Sequence, residues 1–181
     1  MFCFPVTIGS GTDNIGIGFN SFYSGVSASN NTIIGKSAGY SLLGSECVFI
    51  GKDAGAGNVN NLTGWQNVVI GKDAGLDINA AEQTVIIGYQ AQDGDNAGYN
   101  VILGYQAGKN STSDSSVFIG YRAGRDETAS NKLIIGNNES SMLIEGHFTE
   151  EWVRIRDAIQ VGNFSGTAQI LQLTIQTLRI Q

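Results

Sequence analysis

Asn67-Val-Val-Ile-Gly-Lys-Asp-Ala-Gly75 is one copy of a motif that runs through most of the chain. Its first half recurs as Asn14-Ile-Gly-Ile-Gly18, Asn31-Thr-Ile-Ile-Gly35, Cys47-Val-Phe-Ile-Gly51 and Thr84-Val-Ile-Ile-Gly88. Asn100-Val-Ile-Leu-Gly104, Ser116-Val-Phe-Ile-Gly120 and Lys132-Leu-Ile-Ile-Gly136 complete eight copies. The glycines that close them are spaced 17, 16, 20, 17, 16, 16 and 16 residues apart. Most copies continue with lysine or tyrosine, a variable residue, alanine and glycine, as in Lys52-Asp-Ala-Gly55, Tyr105-Gln-Ala-Gly108 and Tyr121-Arg-Ala-Gly124. A fixed period of this size is the mark of a stacked repeat architecture.

Each copy offers three or four mostly β-branched apolar residues between small polar residues and glycine, which suits a short strand and is too short for a helix. The stretches between are turn-like: Gly57-Asn-Val-Asn-Asn61, Asp93-Gly-Asp-Asn-Ala-Gly98 and Asn110-Ser-Thr-Ser-Asp114. One strand and one return loop per repeat predict an all-β, parallel β-solenoid or β-roll of about eight coils. At roughly 4.8 Å per rung the rod would be about 35–40 Å long. The closing glycine supplies the backbone freedom for a sharp turn. The alanine after it fits a tight corner where coils stack.

Successive strand residues point to opposite faces. Val68 and Ile70, Val101 and Leu103, and Val117 and Ile119 therefore share one face. The middle residues Ile33, Phe49, Val69, Ile86, Ile102, Phe118 and Ile134 share the other, with Gly16 as the exception. A strand apolar on both sides is buried on both sides. A thin solenoid has one interior, so the second face calls for a partner surface, and the middle column is read as trimer or core packing. Leaving seven such residues in water would forfeit on the order of 10 kcal/mol. A homo-oligomer about a common axis covers them; loops of the same chain are the alternative.

Composition narrows the function. The 181 residues include 25 glycines and one proline, and the glycines lack the three-residue period of collagen. Ten basic against 16 acidic residues give a net charge of −6, which argues against an electrostatic nucleic-acid binder. No apolar stretch approaches 18 residues, so no membrane insertion is expected. The opening Met-Phe-Cys-Phe-Pro-Val lacks the basic start and long apolar run of a secretory signal. Cys3 and Cys47 read as two free thiols suited to a reducing compartment. One histidine and two distant cysteines leave little for a metal site or a histidine-dependent triad, so no cofactor and no catalytic residue is assigned. The chain reads as a structural or binding protein rather than an enzyme.

Three segments follow: a lead-in over 1–13, the repeat solenoid over 14–147, and a β-rich segment over 148–181. Met142-Leu-Ile-Glu-Gly146 is a shorter unit after the last full repeat. Trp152-Val-Arg-Ile-Arg156 alternates as a half-exposed strand would. Gln169-Ile-Leu-Gln-Leu-Thr-Ile-Gln-Thr-Leu-Arg-Ile-Gln181 is β-prone and nearly uncharged, which suits trimer locking or attachment to another component.

The repeat Asn-x-Val-Ile-Gly-Tyr-x-Ala-Gly resembles repeats of phage tail fibres. Asn131-Lys-Leu-Ile-Ile-Gly-Asn137, with Leu143-Ile-Glu-Gly146 and Phe148, looks like the segment that closes such arrays. The copies are more distantly similar to the head repeats of trimeric autotransporter adhesins, whose short strands also end in Ile-Gly. The resemblance spans about residues 14–148. It implies an intertwined homotrimeric rod of a tail fibre, tail tip or virus-like injection device. Its partners would be other tail or baseplate proteins and a host cell-surface glycan or protein. Nothing resembles a self-cleaving fibre chaperone, an export signal or an outer-membrane anchor, so the expected place is a virion tail assembled in the host cytoplasm. A head fragment of a bacterial surface adhesin is the alternative; a glycan-degrading tail protein is a third.

Stacking turns equivalent positions into columns. Lys36, Lys52 and Lys72 would continue as Tyr89, Tyr105 and Tyr121. The tyrosines could form a surface-binding platform for a sugar, or fill a groove between protomers. Asp53 and Asp73 stand where they can offset their lysines. Trp65, at the end of the longest insertion (56–66), is a candidate binding residue or a packing one. Asp93-Gly-Asp-Asn-Ala-Gly98 faintly resembles a calcium loop, but Gly104 stands where an EF-hand needs glutamate. His147 marks the change of architecture.

Overall fold

The computed structural model describes residues 10–23, 27–57, 63–78, 80–93, 98–138 and 141–156. The calcium-like residues 94–97, Cys3, most of the lead-in and the segment 157–181 lie outside them. The described residues hold ten strands and no helix. Their order in one sheet is their order in sequence, β1 to β10. The first seven are three residues each: β1 (Ile15–Ile17), β2 (Thr32–Ile34), β3 (Val48–Ile50), β4 (Val68–Ile70), β5 (Val85–Ile87), β6 (Val101–Leu103) and β7 (Val117–Ile119). The eighth, β8 (Lys132–Gly136), is parallel to them and continues the stack. All these pairs are in register, motif position on motif position. The chain is thus a parallel β-solenoid.

Hydrogen bonds between coils continue past the strands. In the turn after β3, Asp53 N donates back to Lys36 O at 2.9 Å, and Gly55 N donates forward to Ala74 O at 2.9 Å. Before β3, Glu46 N donates to Ser29 O at 3.0 Å. Turning this corner demands a left-handed backbone at defined offsets. The strand-closing glycines from Gly18 to Gly104 have φ of 135–142°. A Cβ on Gly88 would lie 2.2 Å from Gly104 O of the next coil, so both conformation and space exclude a side chain there. The alanine of each corner (Ala38, Ala54, Ala74, Ala91, Ala107 and Ala123) is fully buried, as its size suggested.

The interior corrects the expected sense of the strand. Ile33, Phe49, Val69, Ile86, Ile102, Phe118 and Ile134 are fully or almost fully buried inside this single chain and form one core with the corner alanines. They need no partner. The flanking columns, from Val48 and Ile50 to Val117 and Ile119, point outward and are half-buried or exposed. Period two separates two faces without saying which is inside when both are apolar. The return loop decides it, because its Ala and Leu42 or Ile78 close over the middle column.

The far end also differs. Met142–Gly146 is not a further coil: β9 (Met142–His147) runs antiparallel to β8, with Leu133 opposite Gly146. The strand expected around Trp152 is β10 (Trp152–Ile155), antiparallel to β9. A reversed two-strand cap therefore ends the parallel stack.

Candidate functional site

Two outward columns of side chains run from β2 to β8 on the strand face. One holds Thr32, Val48, Val68, Val85, Val101, Val117 and Leu133; the other holds Ile34, Ile50, Ile70, Ile87, Leu103, Ile119 and Ile135. Thr32 is the one polar residue among these. Ile87 and Val101 remain 38% and 36% exposed. At the capped end the face runs into a hollow lined by Ile119, Ile135, Met142 and Leu143. An apolar strip of this kind is a candidate interaction surface.

Immediately after the closing glycines from Gly35 to Gly120 stands the predicted lysine–tyrosine column. Tyr89, Tyr105 and Tyr121 stack with centroid separations of 5.3 and 5.2 Å. Lys72 Nζ sits 5.0 Å from the centre of the Tyr89 ring, and the Arg122 guanidinium 5.1 Å from that of Tyr121. The inner ring faces are used on one another and both ends meet cations, so the stack offers edges and hydroxyls to solvent rather than a face for a sugar. Lys52 and Lys72 pair with Asp53 and Asp73. The hydrogen bond to Asp73 raises the Lys72 pKa above its ordinary value. Beside the tyrosines runs an amide column in which Gln106 Nε2 donates to Gln90 Oε1 at 2.9 Å and Arg122 Nε to Gln106 Oε1 at 3.0 Å.

Other sequence candidates lie apart. Trp65 is exposed in the coil before β4, and its carbonyl accepts Gln83 N at 3.1 Å. Asp93 pairs with Lys109 at 3.7 Å; burial pushes its carboxyl pKa up and Lys109 opposes this. His147 belongs to the cap: its ring lies 6.5 Å from Trp152, whose indole N–H donates to Glu150 at 2.8 Å and lowers the pKa of that carboxyl. Among the described residues, no group of three or more His, Cys, Asp or Glu side chains is placed to hold a metal.

The polar residue that opens each repeat has a role that the sequence reading left unassigned. Asn31, Asn67, Thr84, Asn100 and Ser116 are buried on the interior side of the coil. Asn67 Oδ1 accepts from Thr84 N at 3.0 Å, and its Nδ2 donates to Ala81 O at 2.6 Å. Asn100 does the same with Ser116 N and Ser113 O, both at 2.8 Å. Each amide thus satisfies a backbone N–H and a backbone C=O that the tight coil leaves over. Asparagine at one offset in four of the eight copies was the signal for it.

The fold and its surface define a class: a repeat protein whose single-chain solenoid is closed inside and apolar along one outer face. No known protein family, characterised protein or solved structure matches the chain.

Proposed function

We propose that this chain is a virion structural protein, a component of a phage tail fibre, tail tip or virus-like injection device. Its work is mechanical: three copies form a rigid rod that holds an attachment surface toward a host cell. The observation that supports this best is the apolar strip on the strand face, which continues from coil to coil because every coil is in register. The repeat resemblance supplies the viral setting. Three weak surface contacts on one rod would gain by avidity what each lacks alone.

The solution mass across a dilution series tests the assembly. The chain is 19.1 kDa, and a particle of three times that mass that persists on dilution is expected. Changing Ile70 and Val101 to lysine on the strip should give a folded monomer. A wild-type chain that is monomeric at every concentration would overturn the rod reading. Mass analysis of purified virions for this polypeptide tests the setting.

A further inference from the structure

In the segments that lead into the strands, one hydrogen bond recurs between coils. At four junctions a side chain two residues ahead of the strand-opening residue accepts the backbone N–H of the coil before. Ser29 Oγ accepts from Thr12 N at 3.1 Å, and Ser45 Oγ from Ser29 N at 2.9 Å. Asp114 Oδ1 accepts from Gly98 N at 2.7 Å, and Ser130 Oγ from Asp114 N at 3.0 Å. Gly98 breaks this column, because it has no side chain to offer the Glu82 N–H. Neither conformation nor space demands glycine there. Its φ lies outside the left-handed region, and a Cβ would stand 3.3 Å from Glu82 N and O, a contact that a small shift relieves. At Gly64, in contrast, a Cβ would lie 1.8 Å from Ala81 O. The gap forms a hollow of about 340 Å³ lined by Ala80, Glu82, Gly98, Tyr99, Asp114 and Ser115. Tyr99 is 56% exposed beside it. Its column is not that of Tyr89, Tyr105 and Tyr121: Gln83 precedes it and Ser115 follows. Among the described residues no ring stacks on it.

From this hollow we propose a binding site for one neutral sugar unit of a cell-surface glycan. The proposal rests on the attachment reading for its setting and gives the host contact a place on the rod. A sugar ring has an apolar C–H face and a rim of hydroxyls. Tyr99 supplies an open aromatic ring for that face. The Glu82 carboxylate and Asp114 Oδ2 accept from sugar hydroxyls, and the Glu82 N–H and the Ser115 hydroxyl donate to sugar oxygens. Two acids and no base among the described lining residues disfavour uronic acids, sialic acid and phosphates. Small-ligand sites span about 300–1,000 Å³, so this hollow stands at the small end and suits a single ring rather than a long chain.

The test applies saturation-transfer NMR to the full chain with the methyl glycosides of glucose, galactose, mannose and rhamnose, beside methyl glucuronide and sialic acid. At least one neutral glycoside should take up saturation, and neither anionic sugar should. Tyr99→Ala should weaken binding of that glycoside about tenfold, while Tyr105→Ala, in the closed stack, should leave it unchanged. Gly98→Ser puts a hydroxyl at the position that Ser45 and Ser130 occupy in their coils. It should weaken binding about tenfold and yet hold or raise the unfolding midpoint, because the new hydroxyl accepts the Glu82 N–H. Should Gly98→Ser fail to fold, Tyr99→Ala decides. No uptake by any neutral glycoside, a preference for the anionic sugars, or binding untouched by both variants overturns the site. The native mass of the same sample separates this from the rod reading. A trimer that ignores every neutral sugar removes only the site, and a monomer that binds one removes only the rod.

Discussion

The strand-closing glycine is the residue on which the coil turns. At Gly88, φ is +142° and the next coil's carbonyl lies where a Cβ would be. Gly88→Ala should therefore lose about 3 kcal/mol or more in denaturant unfolding. Gly39 has φ of +54° and only side chains of Phe49 and Ile33 near its missing Cβ, at 3.2–3.4 Å. Gly39→Ala should lose only about 1–2 kcal/mol. Equal losses would mean that the close approach of coils is not what the first glycine serves. Cys47 occupies the ladder position of asparagine, and its Sγ lies 3.8 Å from Gly64 O. Cys47→Asn should raise stability by about 1 kcal/mol by completing the ladder, and Asn67→Ala should lower it by about 1–3 kcal/mol. Burial raises the Cys47 pKa, with Glu46 adding to it and backbone N–H groups opposing. The unfolded thiol ionises near its ordinary value of about 8.5 and the folded one above it. The contribution of Cys47 to stability should therefore be constant below that pH and be lost as pH rises through it. In the Cys3→Ser chain, alkylation should occur only after unfolding.

At the scale of the strand, inside and outside carry different weight. Phe118 is fully buried, whereas Tyr105 is 43% exposed in its stack. Phe118→Ala should cost about 3–5 kcal/mol, and Tyr105→Ala about 0.5–1.5 kcal/mol, both in the monomer. Thermal unfolding of the two variants at low protein concentration decides this. The eight strand segments and their parallel stacking were legible because composition, period and turn residues all agreed. The inward sense was not, because Val-Phe-Ile presents apolar groups to both sides and only the return loop chooses between them. The reversal at β9 was hidden for a related reason: Met142-Leu-Ile-Glu-Gly146 copies the strand spelling, while its direction depends on the short turn before it. The tyrosine column was legible as a column from the period alone. That its rings would spend their faces on each other follows from the rung spacing of roughly 4.8 Å, which falls within the range of about 4.5–7 Å between the centroids of stacked rings.

At the scale of the molecule, the cap gives the solenoid two unlike ends. β8 meets β9 along most of its length, so the parallel edge is covered by a reversed strand rather than left open. A chain ending at residue 138 would expose that edge together with the apolar columns. It should aggregate, or associate end to end, at concentrations where the full chain has one defined mass in sedimentation. The ion pair between the cap strands, Arg154 with Glu145, is an exposed contact of little energetic value. The apolar surface and backbone pairing are thus what closure depends on. Removing 105–120, one whole coil, should leave a folded and shorter solenoid, because Gly104 then precedes Tyr121 as it now precedes Tyr105. Removing 105–112 should abolish cooperative unfolding.

That equivalence makes length a digital property. Each coil sees only the coil above and the coil below, and any two neighbours meet through the same backbone bonds and like-for-like columns. A lineage can therefore lengthen or shorten the object by duplicating or dropping one coding unit, in steps of roughly 4.8 Å. The length of the stack becomes a ruler with inherited graduations, adjustable without redesigning a single contact.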